Sequence, residues 1–395
     1  MNTLFPVIGQ QRILEMLHTV DHTGRYANAY MFQGPEGTGK EAMAMEFAAI
    51  LNCQSVGEKP CGTCPGCKQM RHLQHPNVQL LFALPGGSSG DKSDPLRGLS
   101  ESVIESIQKA IEAKSRTPYT KIRIEKAQNI RISSVRAMQK SIHLGRPEAG
   151  RKVVLILEAE RMNTEAFNSI LKVVEEPPAD TSFIFCTSAE HLLPPTIRSR
   201  CQSVPFRVLT SGEIAEGLRE HTQLKDEAAI EKISRLADGD FGFALTLAEQ
   251  DLNEQEEALL EFIRAVMKGD GLPIKQQVDR LESIYRESPL EFRRFVALLQ
   301  IWFRDARVWS ETENVRQLVF PEMLEKIQRF VEFYQAADYA TVQALLENAI
   351  DFIERNVYIR LALHSMQIQL HLAIRGNLEG IPYGNHHRYH TDRFC

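Results

Sequence analysis

No run of about 18 or more apolar residues occurs in the 395-residue chain, so no membrane-spanning helix is expected. The first residues, Met1-Asn2-Thr3-Leu4-Phe5-Pro6, lack a basic region followed by an apolar stretch. No secretory signal is therefore read there, and a cytoplasmic protein is expected. A large excess of positive charge is also absent. The net charge is −5, which argues against a strong general nucleic-acid binder while leaving a local basic face possible. Without an oxidising compartment, the seven cysteines are read as thiols or metal ligands, not as disulfides. The length and the 43% hydrophobic content suffice for two or three domains with their own cores.

What is present is organised around Gly34-Pro35-Glu36-Gly37-Thr38-Gly39-Lys40-Glu41. A short apolar run, residues 27–32, precedes it, and a helix-like run, 42–50, follows. That is the setting a phosphate-binding loop requires. Glycines let backbone N–H groups turn onto phosphate oxygens, and the helix N-terminus adds partial positive charge. Gly34, Gly37, Gly39 and Lys40 are the candidate cofactor-binding residues, with Lys40 reaching the β- and γ-phosphates. The pattern wants a Ser or Thr hydroxyl after the lysine to hold Mg²⁺, and this chain has Glu41. A glycine-rich turn that binds neither ATP nor Mg²⁺ is the alternative.

Cys53, Cys61, Cys64 and Cys67 follow, with the spacing C-x7-C-x2-C-x2-C. Four thiolates in so short a stretch can close a tetrahedral Zn²⁺ site, and four ligands with no open position make it structural. Residues 85–118 read as an insertion, a Gly/Ser loop and then a helix over 102–114, to which no chemistry is assigned. Residues 130–136 start another helix, with Ser133 read as its N-cap. Two strongly apolar runs, 153–157 and 182–187, flank a helix at 165–175 and suit strands buried on both faces. Strands alternating with helices predict a parallel sheet with the glycine loop at a strand end. Beyond about 210 the pattern is helical, with Phe292, Phe295, Val296, Leu299 and Phe303 on one stripe. The tail, 376–395, carries His386, His387 and His390; a loosely ordered polar tail is expected, with metal binding the weaker alternative.

With the loop, the cysteines, Glu158, Glu175-Glu176-Pro177-Pro178 and Ser199-Arg200-Cys201 in view, the chain resembles bacterial DNA polymerase III clamp-loader subunits over roughly residues 5–250. Within that family the delta-prime type is the nearer match. The resemblance implies an α/β AAA+ P-loop core with a parallel sheet over 1–207, carrying the zinc module 53–67 and the insertion 85–118. It further implies a small helical lid over 208–250 and an all-α collar over 251–375 that holds five subunits in a ring, before the tail. Sliding clamp and primed DNA are the implied partners through that complex.

The departures are as informative. Aligned to the family, Leu157 stands at the Mg²⁺-organising Asp, Glu158 at the water-activating Glu and Gly242 at the lid Arg, with Thr187 or Ser188 at the sensor position. Mg²⁺ needs hard oxygen ligands and leucine offers none. Glu41 would set a like charge against the phosphates, or pair with Lys40. Two expectations follow. One is a ring subunit that does not hydrolyse ATP and whose Arg200 acts in trans on a neighbour's nucleotide. The other is an active ATPase motor subunit of gamma/tau kind, or another P-loop NTPase, with unusual metal ligands.

Overall fold

The computed structural model describes residues 3–86, 95–143, 150–249, 252–269, 271–287, 289–354 and 358–379. The tail histidines and residues 87–94 of the insertion lie outside them. By contacts the chain divides into two units, residues 1–223 with 237–245, and residues 224–236 with 246–395.

In the first unit the elements run α1 (Gln11–Thr23), β1 (Ala29–Gln33), α2 (Lys40–Asn52), α3 (Pro65–Arg71), β2 (Val78–Leu81), α4 (Glu101–Arg116), α5 (Ile132–His143), β3 (Lys152–Ile156), α6 (Thr164–Glu175), β4 (Thr181–Thr187), α7 (Pro195–Arg198), β5 (Gln202–Pro205) and α8 (Ser211–His221). All strand pairs are parallel, in the order β2-β3-β4-β1-β5, which puts β1 inside the sheet. Every residue of β3 and β4 is buried. Their apolar runs do not alternate because both faces of a parallel sheet are covered by helices. The side-chain period of two nonetheless sorts the residues. Tyr30, Phe32, Val153, Leu155, Ile184 and Cys186 face one core with α1 and α2. Ala29, Met31, Val154, Ile156, Phe183 and Phe185 face the other with α5 and α6. The α/β expectation thus holds, as a helix-sheet-helix sandwich.

One local expectation fails. Ser133 lies within the first turn of α5, because Arg131 O already accepts the N–H of Val135 and ends the non-helical approach. By contrast, Thr210 forms a full capping box with Glu213 ahead of α8.

The second unit takes α9 (Glu227–Leu236) and, beyond α10 (Phe241–Glu249), the helices α11 (Leu252–Lys268), α12 (Gly271–Glu287), α13 (Pro289–Thr312), α14 (Leu324–Phe333), α15 (Tyr339–Glu354) and α16 (Ile359–Ile374). Phe292, Val296, Leu299 and Phe303 on α13 are buried, so the stripe read from the sequence is packing surface. Trp302 meets Phe330 edge-on at 4.8 Å between ring centres. Among the described residues no helix is long and apolar enough to cross a membrane.

Candidate phosphate loop and cysteine cluster

The glycine loop leaves the C-terminal end of β1 and opens α2, and it is tied on both sides. Gly34 N–H donates to Thr187 O at 3.3 Å, and Phe206 N–H donates to Gln33 O at 2.7 Å. Gly37 has φ 67° and Gly39 φ 89°, which L side chains adopt only at a cost. A Cβ on Gly37 would also collide with the Asp240 carboxylate, and one on Gly39 would lie 2.9 Å from the Tyr119 hydroxyl. Glycine is required here by conformation and by close approach together.

Lys40 is almost fully buried and does not pair with Glu41, contrary to one expectation. Its Nζ donates to Gly34 O at 2.6 Å and Pro35 O at 2.5 Å. Consecutive helical residues do not face each other, so the two side chains part. Burial, and then the neighbouring Lys121 ammonium, lower the Lys40 amine to about 8.

Glu41 turns to the opposite side, into a buried network absent from the sequence reading. Lys114 of α4 donates to Glu41 Oε2, and Lys121 Nζ lies 3.3 Å from Glu41 Oε1. The same Lys121 Nζ lies 3.5 Å from Glu158 Oε1. Glu158 follows β3 with φ 50° and is gripped further by Arg123, whose Nη2 donates at 2.7 Å, and by Arg161 Nη1 at 3.1 Å. Burial alone would raise both carboxyls. The ammonium of Lys114 and then Lys121 hold Glu41 down at about 2, and Lys121 and Arg123 hold Glu158 well below the usual carboxylate range. The fold therefore brings Lys40, Glu41, Glu158 and Thr187 to one end of the sheet, but with Glu158 fixed as an ion-pair acceptor.

Two further residues close over the loop. Phe241 N–H donates to Gly37 O at 3.2 Å as α10 begins, and Gly242 follows in that turn. The Tyr119 hydroxyl accepts from Ile8 N–H at 2.9 Å while its ring packs edge-on against Phe241 at 4.8 Å. Nothing in the local sequence around 114–123 pointed to this role. The only available signal was the unanswered charge of Glu41 itself.

Arg200 ends the α7 turn, exposed, with its guanidinium on Glu175 and Nη1 donating to Thr196 O at 2.8 Å. None of those contacts is to the glycine loop.

The four cysteines come together. All Sγ atoms lie within 4.8 Å of one another, with 4.0 Å for both Cys53–Cys64 and Cys61–Cys67. A zinc ion about 2.3 Å from each sulfur calls for sulfur–sulfur spacings near 3.8 Å, so the donor set fits a tetrahedral ion. Backbone N–H groups of Cys61, Cys64 and Cys67 point at Cys53, Cys61 and Cys64 sulfurs at 3.3, 3.4 and 3.4 Å. Donors aimed at sulfur favour the thiolate that a metal needs. Gly66 admits the close pass of Asn52 O that brings Cys67 into place.

The family model described as "DNA polymerase III, delta subunit" matches residues 9–210. The DNA polymerase III subunit tau of Bacillus subtilis (strain 168) is 27% identical over 370 residues, 89% of this chain and 57% of the relative. The subunit delta' of the same organism is 29% identical over 211 residues, 53% of this chain and 51% of the relative. The chain thus spans about half the length of these two relatives. A solved gamma subunit-related protein of Thermotoga maritima overlays 91% of this chain and 99% of its own at 17% identity and a TM-score of 0.39.

Proposed function

The chain belongs to the family described as DNA polymerase III, delta subunit, and from that premise we propose that it is a clamp-loader subunit of delta-prime type that does not hydrolyse ATP itself. It supports ATP-dependent loading of a sliding clamp on primed DNA within a hetero-pentameric ring, with residues 208–250 as lid and 251–375 as the collar joining its neighbours. What carries the reading is the state of the two carboxylates beside the loop. Glu41 replaces the Mg²⁺-holding hydroxyl, and Glu158 is bound by three cations, leaving no basic carboxylate to orient a water. Leu157, at the end of β3, supplies no metal ligand in place of an aspartate.

Arg200 is then the catalytic group, acting on a nucleotide held by the next subunit. Its surface pair with Glu175 is of a kind worth about 1 kcal/mol or less, so a γ-phosphate can displace the carboxylate. The planar guanidinium stays charged and spreads developing phosphoryl charge. Cys53, Cys61, Cys64 and Cys67 hold one structural Zn²⁺, which freshly purified protein should retain at close to one equivalent by elemental analysis.

In the assembled ring, Arg200→Ala should lower ATPase and clamp-loading rates by on the order of 10³ with the ring intact. Rates within about twofold of wild type would reject the assignment, and loss of the ring would make the arginine structural. The 370-residue alignment to a tau subunit keeps a motor reading in play. It predicts Mg²⁺-dependent turnover by the isolated chain that disappears with Lys40→Ala, whereas the reading adopted predicts none.

A further inference from the structure

Active phosphate loops hold their Mg²⁺ between the residue after the loop lysine and the acidic end of a neighbouring strand. Those two places here are Glu41 and Leu157, with Glu158, at the water-activating position, following directly, and one group touches both carboxylates. Lys121 Nζ sits 3.3 Å from a Glu41 oxygen and 3.5 Å from a Glu158 oxygen. We propose that the Lys121 ammonium has taken the place of the divalent cation, and that the strap 114–123 keeps the loop folded and shut without metal or nucleotide. The proposal rests on reading residues 34–41 as a phosphate loop.

Three observations converge on it. The first is charge. Lys114, Lys121, Arg123 and Arg161 pair with two carboxylates, Glu41 and Glu158, and even with Glu36 close by an arriving divalent cation meets an excess of positive charge. The second is steric. Tyr119 lies against Gly39, and Asp240 lies against Gly37, so both crowd the loop backbone. The Asp240 carboxylate adds repulsion for any anion coming to that tip. The third is hydrogen bonding. Lys40 spends its amine on Gly34 O and Pro35 O, Gly37 O accepts from Phe241 N–H, and Gln10 Nε2 donates to Thr38 O at 3.2 Å. The loop's partners are supplied from within the chain, as preorganisation without a ligand requires.

The test uses full-length, zinc-loaded protein in chelator-free buffer and the fluorescent analogue mant-ATP, with and without Mg²⁺. Wild type should show no saturable binding and no change in Tm under either condition. In Glu41→Thr/Lys114→Met/Lys121→Met a hydroxyl returns and both strap cations go. That variant should bind mant-ATP in Mg²⁺ alone, at least about tenfold more tightly than the wild-type limit. Independently of any variant, limited acetylation read by mass spectrometry should label Lys121 far more slowly than Lys126, since a seated ammonium stays protonated and shielded. The Lys121 side chain is 16% exposed and that of Lys126 85%. Micromolar Mg²⁺-dependent binding by wild type would overturn the proposal. So would a folded triple variant that binds no better than wild type, or equal labelling of the two lysines; should the triple variant fail to fold, the wild-type titration and the labelling decide. The Arg200→Ala outcome in the ring is read in the neighbour's site and varies independently of all three.

Discussion

The cysteine cluster and the glycine loop make an instructive pair, since each is a short local motif whose backbone is shaped for one ligand. In the first, four like donors converge with spacings that suit an ion, and the protein contributes nothing to replace it. In the second, the glycine geometry is intact, yet the chain's own side chains fill the places of the ligand's charges. A motif's shape and its occupancy are separate properties. Shape follows from a few neighbouring residues; occupancy depends on groups that the fold delivers from far away.

The comparison predicts unequal responses to ligand loss. Removing zinc, or making Cys67→Ser, should cause the largest effect. Structural zinc sites release apparent free energies of about 10–16 kcal/mol in small peptides, so a loss of several kcal/mol and a Tm lower by more than about 10 °C are expected. Calorimetry on protein verified zinc-free by elemental analysis checks this, and an unchanged Tm would make the cluster a set of inert thiols.

Next comes Lys114→Met, which leaves Glu41 buried with one partner fewer. Breaking a buried pair in this way costs about 3–5 kcal/mol, measurable by urea unfolding. Adding Glu41→Gln should return most of that loss, because the charge left unanswered is then gone. A single variant within about 1 kcal/mol of wild type would mean that Lys121 alone answers Glu41.

The smallest effect separates two buried glutamates of α2. Glu41, held at about 2 against an ordinary 4.5, stabilises the fold above pH 4.5, and that contribution is lost as pH falls towards 2. Glu46 accepts N–H groups of Leu4 and Phe5 at 2.9 and 2.8 Å, yet burial raises it to about 7. The folded state then binds the extra proton between pH 4.5 and 7, so stability falls as pH rises through that window. Glu46→Gln should flatten this limb by about 1–3 kcal/mol while leaving the acid limb of Glu41 in place. A limb unchanged by the substitution would assign it to another group.

How much of this was legible follows from sequence distance. The cysteines, the glycine loop and the apolar strands are local patterns with a fixed period or spacing, and each was readable. The partners of Glu41 are not local. Lys114 lies 73 residues away and Lys121 lies 80. No periodicity links such positions, and segment 85–118 read as an insertion without chemistry. Lys40 and Glu41 do not pair for a simpler reason, since adjacency in a helical sequence is not adjacency in space. The contacts of Asp240 and Tyr119 with the loop leave no compositional trace in the sequence.

The position of β1 inside the sheet has a consequence for synthesis on the ribosome. Its neighbours β4 and β5 are made long after it; 146 residues separate Lys40 from Cys186. At bacterial and eukaryotic elongation speeds of about 5–20 residues per second, roughly 7 to 30 s pass before β1 can be flanked. During that interval α2, all thirteen residues of which end up buried, has no sheet to cover it. The nascent chain therefore leaves the apolar stretches 29–32 and 42–51 uncovered for that interval, while the four cysteines just downstream have already been made. All four candidate metal ligands, residues 53–67, are thus synthesised before the loop beside them has a core to rest on.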